Sequence, residues 1–582
     1  MKDARAQELL DLGNRLYEQK APFDTLCQEI AENCRPERAD FTTTRNMGDD
    51  FAAHNSDSFP TLAMRELCSS FSAILRPRDK SWFQATTNNE SLDKDPANAR
   101  FLEYVTSELR SAIYDPRTDL IGATKMADGD FGAFGNCILS VEEAPGKGNR
   151  NHLFYRPHHL RDVAWLENEL AVVDHLHRKD RMTARVMKRR FGEKVLHENV
   201  KRMCEKEPHK EVEVRIVVMP ADEYDYVGKD SRAEGKRGYK GKKLPFVICY
   251  VDADNCKVLK ETGLHDFIFM VARWMRIPNS PYAYSPAAMT MLPDARMAQE
   301  LSLLILEAGE KAVYPAAIAK SEAIQQANLQ AGSLTWSDLE GDEDVRKSMA
   351  YLPVEADMRV GFEMRKDVRE MIQKACYLDK LALPDSGTQR TAYEIARVIE
   401  DHVRNLLPLF EPAEVEYNTK LLDKSFNAWM NMQKFDWSQM PQGLAGKDIF
   451  WSFKNPMQQA SNRILVTQFQ EGLQIALAAS QAGLKANPIN IKNATMDALR
   501  GTDMPATWRA SEEEMAAEEQ QNAMRQMLAG AMQEASAATQ LAGQAGESVQ
   551  QLQATGLVPH PQGQLALPAP PQRKALPAPA RA

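Results

Sequence analysis

One stretch limits what this chain can fold into more than any other: two helix-length patterns joined by a long acidic segment, between Leu292 and Leu383. The first opens Leu292-Pro293-Asp294-Ala295-Arg296 and runs to Val313, where Tyr314-Pro315 stops it. Pro293 suits a first helical position, because its missing N–H has no intrahelical partner there, and Asp294 favours the helix dipole. Met297, Leu301, Leu304, Ile305 and Ala308 share one face at about 3.6-residue spacing. Leu303 and Leu306 fall off that stripe, so the helix is expected to touch partners on more than one side. The second pattern covers Arg359 to Leu381, with Val368, Ile372 and Ala375 as packing positions. At ~1.5 Å per residue each helix is roughly 30 Å long. A short polar loop follows, Pro384-Asp385-Ser386-Gly387-Thr388-Gln389-Arg390. Taken alone, the stretch also describes two core helices of an ordinary α+β domain around an insertion.

The chain has 582 residues, room for several domains, and at 43% hydrophobic and 26% charged it has the composition of a folded protein. Its net charge of −9 argues against coating DNA by bulk attraction, yet allows DNA to slide past. Eight cysteines are dispersed with no C-x-x-C pair, so no zinc site is expected and the thiols read as reduced, in a cytoplasmic setting. The N-terminus lacks the apolar core of a signal peptide, and no run of eighteen apolar residues predicts a membrane span.

Residues 1–35 predict a helix ended by Cys34-Arg35-Pro36, and a second runs from Thr61 to Leu75, ended by Arg76-Pro77. Trp82-Phe83 marks a short strand, 95–127 further helix, and the Gly-rich 129–143 turns into a strand at Cys137–Val141. Leu153 to His177 is β-like. Thr183 caps a helix through Phe191, ended by Gly192. Glu211 to Met219 alternates as a strand with Val212, Val214, Ile216 and Val218 on one face. Pro245–Val251 and Lys257–Lys260 form a hairpin, and Phe267–Met275 another strand. After Arg390 the pattern is almost wholly helical, apart from the irregular, aromatic Trp437–Phe453.

Three features invite a chemical reading. The basic loop 228–243 lacks the Walker spacing and does not lead from a strand into a helix, so an exposed loop suffices. His175 and His177 share one face of a strand, which allows a metal pair, but no third ligand accompanies them. Residues 178–202 carry ten Lys and Arg against three acids, readable as a nucleic-acid-facing patch, a helix-turn-helix fragment, a solvated face or an intersubunit surface; the expected second helix after Gly192 is weak. No Gly-x-Ser-x-Gly, His-Glu-x-x-His or paired acid constellation is present, so no enzyme is expected and no cofactor is called for.

A set of short stretches then falls in a recognisable order. They are Ile30-Ala31-Glu32-Asn33-Cys34-Arg35-Pro36, Leu75-Arg76-Pro77 with Trp82-Phe83, and Met182-Thr183-Ala184 with Arg190-Phe191-Gly192. Val271-Ala272-Arg273-Trp274 with Tyr284-Ser285-Pro286, Leu292-Pro293-Asp294-Ala295-Arg296, and Arg390-Thr391-Ala392-Tyr393-Glu394-Ile395 follow. In order and spacing, from residue 1 to about 515, the chain resembles the portal proteins of short-tailed bacteriophages, the head-to-tail connector family. It departs where Ala283 and Ser285 replace that family's glycines. The resemblance implies a predominantly helical α+β portal fold with wing, stem, clip and crown or barrel, assembled as a ring of twelve copies. By position, 1–290 would be wing, with its β-rich part at about 137–277. Residues 291–313 and 359–383 would be stem helices, 314–358 the clip, and 384–390 the channel loop. Residues 391–454 would return to the wing, 455–556 form crown or barrel helices, and 557–582 a disordered Pro/Ala tail.

The implied function is a channel for DNA packaging and ejection, at one vertex of a virion assembled in the host cytoplasm. The implied partners are double-stranded DNA, the large terminase of the packaging motor, capsid and scaffolding proteins, and tail adaptor and nozzle proteins. The residues agree in two places. Segment 315–357 has eight acids against three bases, and a ring would multiply this into a negative collar that repels phosphate or docks a basic partner. Its docking candidates are Asp338, Glu340, Asp342, Glu343, Asp344, Arg346 and Lys347. Pro384–Arg390 is short and polar, with Gly387 for mobility and Arg390 for a phosphate. A different ring-forming capsid or adaptor protein, or a nucleic-acid enzyme or regulator using 178–202, are the rival readings.

Overall fold

Two arginines that end helices hold the first half of the chain together. The computed structural model describes residues 3–46, 48–53, 55–78, 81–145, 151–226, 238–239, 242–313, 317–319, 349–351, 358–381, 411–432, 435–453, 466, 469–476, 494–495, 498–499 and 515–530. Helix α1 spans Ala4–Cys34, with the Asp3 carboxylate accepting from the Arg5 N–H at 3.1 Å. Helix α2 spans Phe59–Leu75. Both stop at an Arg-Pro pair, because a residue before proline is pushed out of the helical region. The freed arginines turn into the core. Arg35 and Arg38 reach Asp130, Arg35 Nη1 at 2.7 Å, and Arg76 pairs with Asp128 and donates to Asn418 at 3.1 Å.

Those aspartates sit on α5, Leu120–Phe134, which follows α3 at Glu90–Lys94 and α4 at Pro96–Ile113. Burial pushes the Asp130 carboxyl up, but the guanidinium groups of Arg38 and Arg35 outweigh it and hold it below the ordinary carboxylate range. The Arg-Pro stops thus end two helices and also supply the counter-charges for a third. Residues 129–134, expected as a Gly-rich approach to a strand, are helical. Glycine makes the close approach possible: the Arg35 guanidinium lies where a Cβ on Gly129 would be.

Two antiparallel sheets follow. β2 (Asn136–Ala144) lies between β11 (Phe269–Arg273) and β3 (His152–His158). The larger sheet has the order β10-β9-β6-β5-β4: Lys257–Leu264, Phe246–Asp252, Glu211–Pro220, Val173–Thr183 and Val163–Glu167. Val212, Val214, Ile216 and Val218 of β6 face the main core as expected. Val217 and Met219 are buried too, in a second cluster with Leu9 and Leu10 of α1 and with Tyr224 of α8 (Ala221–Tyr226). Because α1 and α8 cover the outer face, β6 is a near-continuous apolar run rather than a clean alternation.

Helix α6 (Ala184–Phe191) starts after Thr183 and ends at Gly192 as expected. The segment after it, where the helical pattern is weak, does form a helix, α7 (Glu198–Lys206). The two pack through Ala184, Met187, Leu196 and Val200. Short strands β7 (Gly238–Tyr239) and β8 (Lys242–Lys243) pair within the basic loop. An unexpected strand, β14 (Phe450–Phe453), pairs with β1 (Phe83–Thr86), so the aromatic segment near 450 packs against the start of the chain.

The two long helices are α9 (Pro286–Val313) and α10 (Met358–Ala375). The first begins well before Leu292. Ser285 caps it, its Oγ accepting from the Ala288 N–H at 3.1 Å with Pro286 next in sequence, so Pro293 lies inside the helix. The second stops earlier than Leu381. Tyr377 takes a left-handed conformation, φ 57°, and a separate short α11 covers Leu378–Leu381. Strands β12 (Ala317–Ala319) and β13 (Met349–Tyr351) pair antiparallel and draw together the two ends of the acidic segment. The residues between them lie outside those described. Further on, a π-helical stretch at Glu414–Thr419 leads into α12, Lys420–Asn431.

The chain divides into two compact units, Met1–Ala506 and Thr507–Ala582. In the second, residues 515–530 are a mostly exposed helix. Among the described residues no helix is long and apolar enough to cross a membrane.

A candidate assembly surface on the paired helices

The N-terminus of α9 is clamped to the body before the helix begins. Gly135 ends α5 with φ +72°, and its α-carbon lies so close to the Tyr284–Ser285 backbone that a side chain would overlap it. Asn136 donates to the Ala283 carbonyl at 2.7 Å and accepts from the Ala283 N–H at 3.0 Å. Ser285 Oγ donates to the Gly132 carbonyl at 2.5 Å. Ala283 and Ser285, where the family pattern has glycines, are both fully packed in this joint.

From there α9 packs small side chains inward: Ala287, Ala288, Ala295, Ala298 and Ser302, with Met291 and Leu292. Ser302 is its last buried residue. On α10 the burial runs the other way along the chain. Val368, Ile372 and Ala375 are buried, while the first turns are exposed. Cys376 Sγ lies 3.2 Å from Met291 Sδ near the body, and Gly361 lies against Ile305 further out. The helices are therefore antiparallel, with one end rooted and the other projecting.

The root is a buried carboxylate that sequence reasoning missed. Asp57, only 4% exposed, accepts from the Phe59 N–H at 2.9 Å, from Ser302 Oγ of α9 at 2.9 Å and from Arg369 Nη2 of α10 at 3.0 Å. Its backbone N–H donates to Gln299 Oε1 at 2.7 Å, and Gln299 Nε2 donates back to its carbonyl at 2.8 Å. Burial pushes the Asp57 carboxyl up, but the Phe59, Arg369 and Ser302 donors outweigh it and leave it below the ordinary carboxylate range. One side chain thus joins the start of α2 to both long helices. The available signal was an aspartate just ahead of a helix start marked by Pro60, one position before the N-cap Ser58; its two distant partners leave no local trace.

Along its length the pair exposes large apolar side chains. Leu304 is 59% exposed and Leu306 63%; Phe362 is 45% and Met371 53%. Met297, Leu303, Val360 and Met364 are exposed as well. Leu301, Ile305 and Ala308 are half-buried. The expected face of α9 is therefore split: Met297 and Leu304 point outward in the single chain, and the small residues upstream make the contact with the body. Apolar side chains exposed along two adjoining helices make this a candidate protein–protein contact surface.

The other sequence candidates fall elsewhere. His175 and His177 are buried and stacked, with their Nε2 atoms 2.9 Å apart. Burial pushes His175 down to about 4, and burial together with the neighbouring His175 and Arg215 pushes His177 well below the ordinary imidazole range. Glu223 Oε2 lies 3.6 Å from His175 Nδ1, and among the described residues no group of three side chains is arranged to hold a metal. The basic segment is divided: Arg178, Lys179 and Arg181 lie on β5, with Arg178 buried, while the residues from Arg185 on form the mostly exposed side of the α6–α7 pair. Asp338, Glu340, Asp342, Glu343, Asp344, Arg346, Lys347 and Pro384–Arg390 lie outside the described residues.

Comparison with known proteins places this geometry in a family. The bacteriophage head to tail connecting protein family matches residues 6–508, and the chain belongs to it. The chain is 23% identical over 479 residues to a portal protein of Salmonella phage epsilon15, covering 81% of this chain and 82% of that protein. It is 24% identical over 464 residues to a probable portal protein of Bordetella phage BPP-1, covering 78% and 80%. A solved structure described as the neck of an empty GTA particle, computed with C6 symmetry, aligns with 74% of this chain and 88% of that one. Its identity is 11% and its TM-score 0.30, too low to carry a detailed comparison. The expected role as a head-to-tail connector of a phage particle is thereby supported.

Proposed function

We propose that this connector forms a closed ring whose axial channel passes double-stranded DNA during packaging and ejection. The carrying observation is the apolar surface on both α9 and α10 of a single chain of the head-to-tail connecting family. The exposed residues belong to two different helices, which fits a heterologous contact in which one patch meets a different patch on the next copy and the rotation closes. In this reading α9 and α10 are the stem helices of each of twelve copies, and the body from residue 1 to 290 is the wing. The acidic segment 314–358 is the clip, which docks the packaging motor and later the tail adaptor and nozzle proteins. Pro384–Arg390 is the channel loop and meets phosphate without reading sequence. The ring sits at one vertex of the virion, in contact with capsid and scaffolding proteins, and carries out no catalysis.

Negative-stain microscopy and light scattering on the purified chain test the reading. Wild type is expected to give a ring of about twelve subunits with a central hole. Leu304→Asp with Leu306→Asp removes about 2–4 kcal/mol of apolar burial per contact, since each leucine is about 60% exposed in the single chain, and is expected to leave folded monomers. A wild-type chain that stays monomeric at high concentration, or a double variant that still forms rings, overturns it.

A further inference from the structure

A second site lies away from the paired helices. A cleft of about 590 Å³ opens between β3, the turn at Leu160–Asp162, β5 and the loop after α1. Its cationic lining comes from Arg45, Arg156, Arg161, Arg178, Lys179 and Arg181, four different segments converging on one space. The carboxylates that line it are already committed. Asp40 accepts from His159 at 2.7 Å and from Arg161 at 2.9 Å, and Asp162 pairs with Arg161 at 3.1 Å. Asp180 lies 3.3 Å from Arg178, and Glu213 accepts from Arg215 at 2.6 Å. Among the described residues no carboxylate pairs with Arg45, Arg156, Lys179 or Arg181.

Arg178 is the centre of the arrangement. It is only 9% exposed, and it lines both this cleft and an adjoining one of about 340 Å³, as Arg156 does. Burial lowers its affinity for its proton and the neighbouring Arg156 adds to that, while Asp180, Glu142 and Asp162 oppose it. Among the described residues only Asp180, at 3.3 Å, lies within ion-pair distance, which leaves the cleft side of this guanidinium open to a further anion. The adjacent Thr42, Thr43 and Thr44 bring hydroxyl groups to the same wall.

We propose that this cleft is a phosphate-binding site, taking the phosphate oxygens of a nucleic-acid backbone or of a free phosphate. Guanidinium forks match phosphate oxygens two at a time, and the excess positive charge of the lining matches a dianion. It is a local basic island in a chain of net charge −9, so it contacts phosphate at one place without coating the protein in nucleic acid.

The test uses the full chain, wild type and Arg156→Ala with Arg181→Ala, titrated with a short DNA duplex across a salt series and with inorganic phosphate by calorimetry. Removing two phosphate contacts is expected to weaken duplex binding at least about tenfold and to flatten the log–log salt slope by about 2. Arg156→Lys with Arg181→Lys is expected to restore the slope but only part of the affinity, since an ammonium cannot make the paired contact. Phosphate heat in wild type that the alanine variant loses supports a free-phosphate ligand; loss of duplex binding without phosphate heat in either supports the backbone. Unchanged duplex affinity and slope with no phosphate heat in wild type overturns the proposal. So does an equal loss of binding to polyglutamate, which would make the site an acidic-peptide site. Light scattering on the same samples reports the ring separately, so the two readings fail independently.

Discussion

Replacing Asp57 by alanine tests whether one carboxylate roots the paired helices. The change removes three hydrogen bonds to a charged acceptor, from Phe59 N–H, Ser302 and Arg369. Hydrogen bonds to charged groups contribute about 1.5–3 kcal/mol each in favourable cases. The Arg369 side chain is 36% exposed, so its share is screened and falls toward the lower end. Ser302 and the Phe59 N–H then each lose an acceptor in a buried setting. With the Arg369 share discounted, the two buried bonds alone give at least about 3 kcal/mol, confined to the root. Native-state hydrogen exchange measures it site by site. Protection at Ile372 and Ala375 is expected to fall roughly 150-fold, since ~1.4 kcal/mol is a factor of ten, while β6 keeps its protection. The same linkage gives a pH signature. A carboxyl held below its unfolded value contributes stability that is present above about pH 4 and lost as pH falls through the lower folded value. The wild-type root should therefore loosen below about pH 4, and the alanine variant should lack that phase. Unchanged exchange at α10, or an equal loss throughout the body, would refute the argument.

Two further outcomes are expected, one from the structure and one from the charge of the acidic segment. Gly135→Ala forces a left-handed residue and an overlap with the Tyr284–Ser285 backbone, so a loss of at least about 2 kcal/mol in urea unfolding is expected, with Ala283→Gly giving no rescue. Charge reversal at Asp342, Glu343 and Asp344 is expected to leave the ring intact by microscopy while blocking motor-driven packaging and tail attachment; normal packaging and attachment in that variant would remove the docking assignment.

What the sequence revealed divides by range. Helix α6 was legible because Thr183 and Gly192 bracket it within a few residues. Its neighbour α7 was not, because it is polar on most sides, buries only Val200, and starts with His197 as its cap, a less familiar signal. The start of α9 was misplaced because Leu-Pro-Asp mimics a helix entrance, while the actual cap, Ser285-Pro286, lies seven residues earlier. Tyr377 was passed over because Leu378 and Leu381 continue the apolar pattern, and nothing local in a tyrosine announces a left-handed turn. The two features that fix the geometry most firmly, the pairing of β14 with β1 and the Asp57 bridge, join residues hundreds of positions apart. No window along the chain contains both partners. The family resemblance reached further than periodicity because it carries such pairings implicitly, in the order of short motifs.

The rooted and projecting halves of the helix pair have a consequence for assembly. Past Ser302, α9 has no buried residue in the single chain, and the first turns of α10 are equally bare. Helices of about ten residues without tertiary cover are marginal in water. Among the described residues their cover is little more than each other. Four exposed side chains of the outer half, Leu304, Leu306, Val360 and Phe362, are already about half covered and would each gain about 1–2 kcal/mol on full burial against a neighbour. That is enough to tip a marginal segment into order. In the proposed ring, then, ordering of the outer helix ends and association of the copies are one linked equilibrium. Diluted copies should show fast exchange beyond Ser302 and slow exchange at Ile372, and assembly should protect the former without altering the latter. Equal protection of both in monomer and ring would break that link.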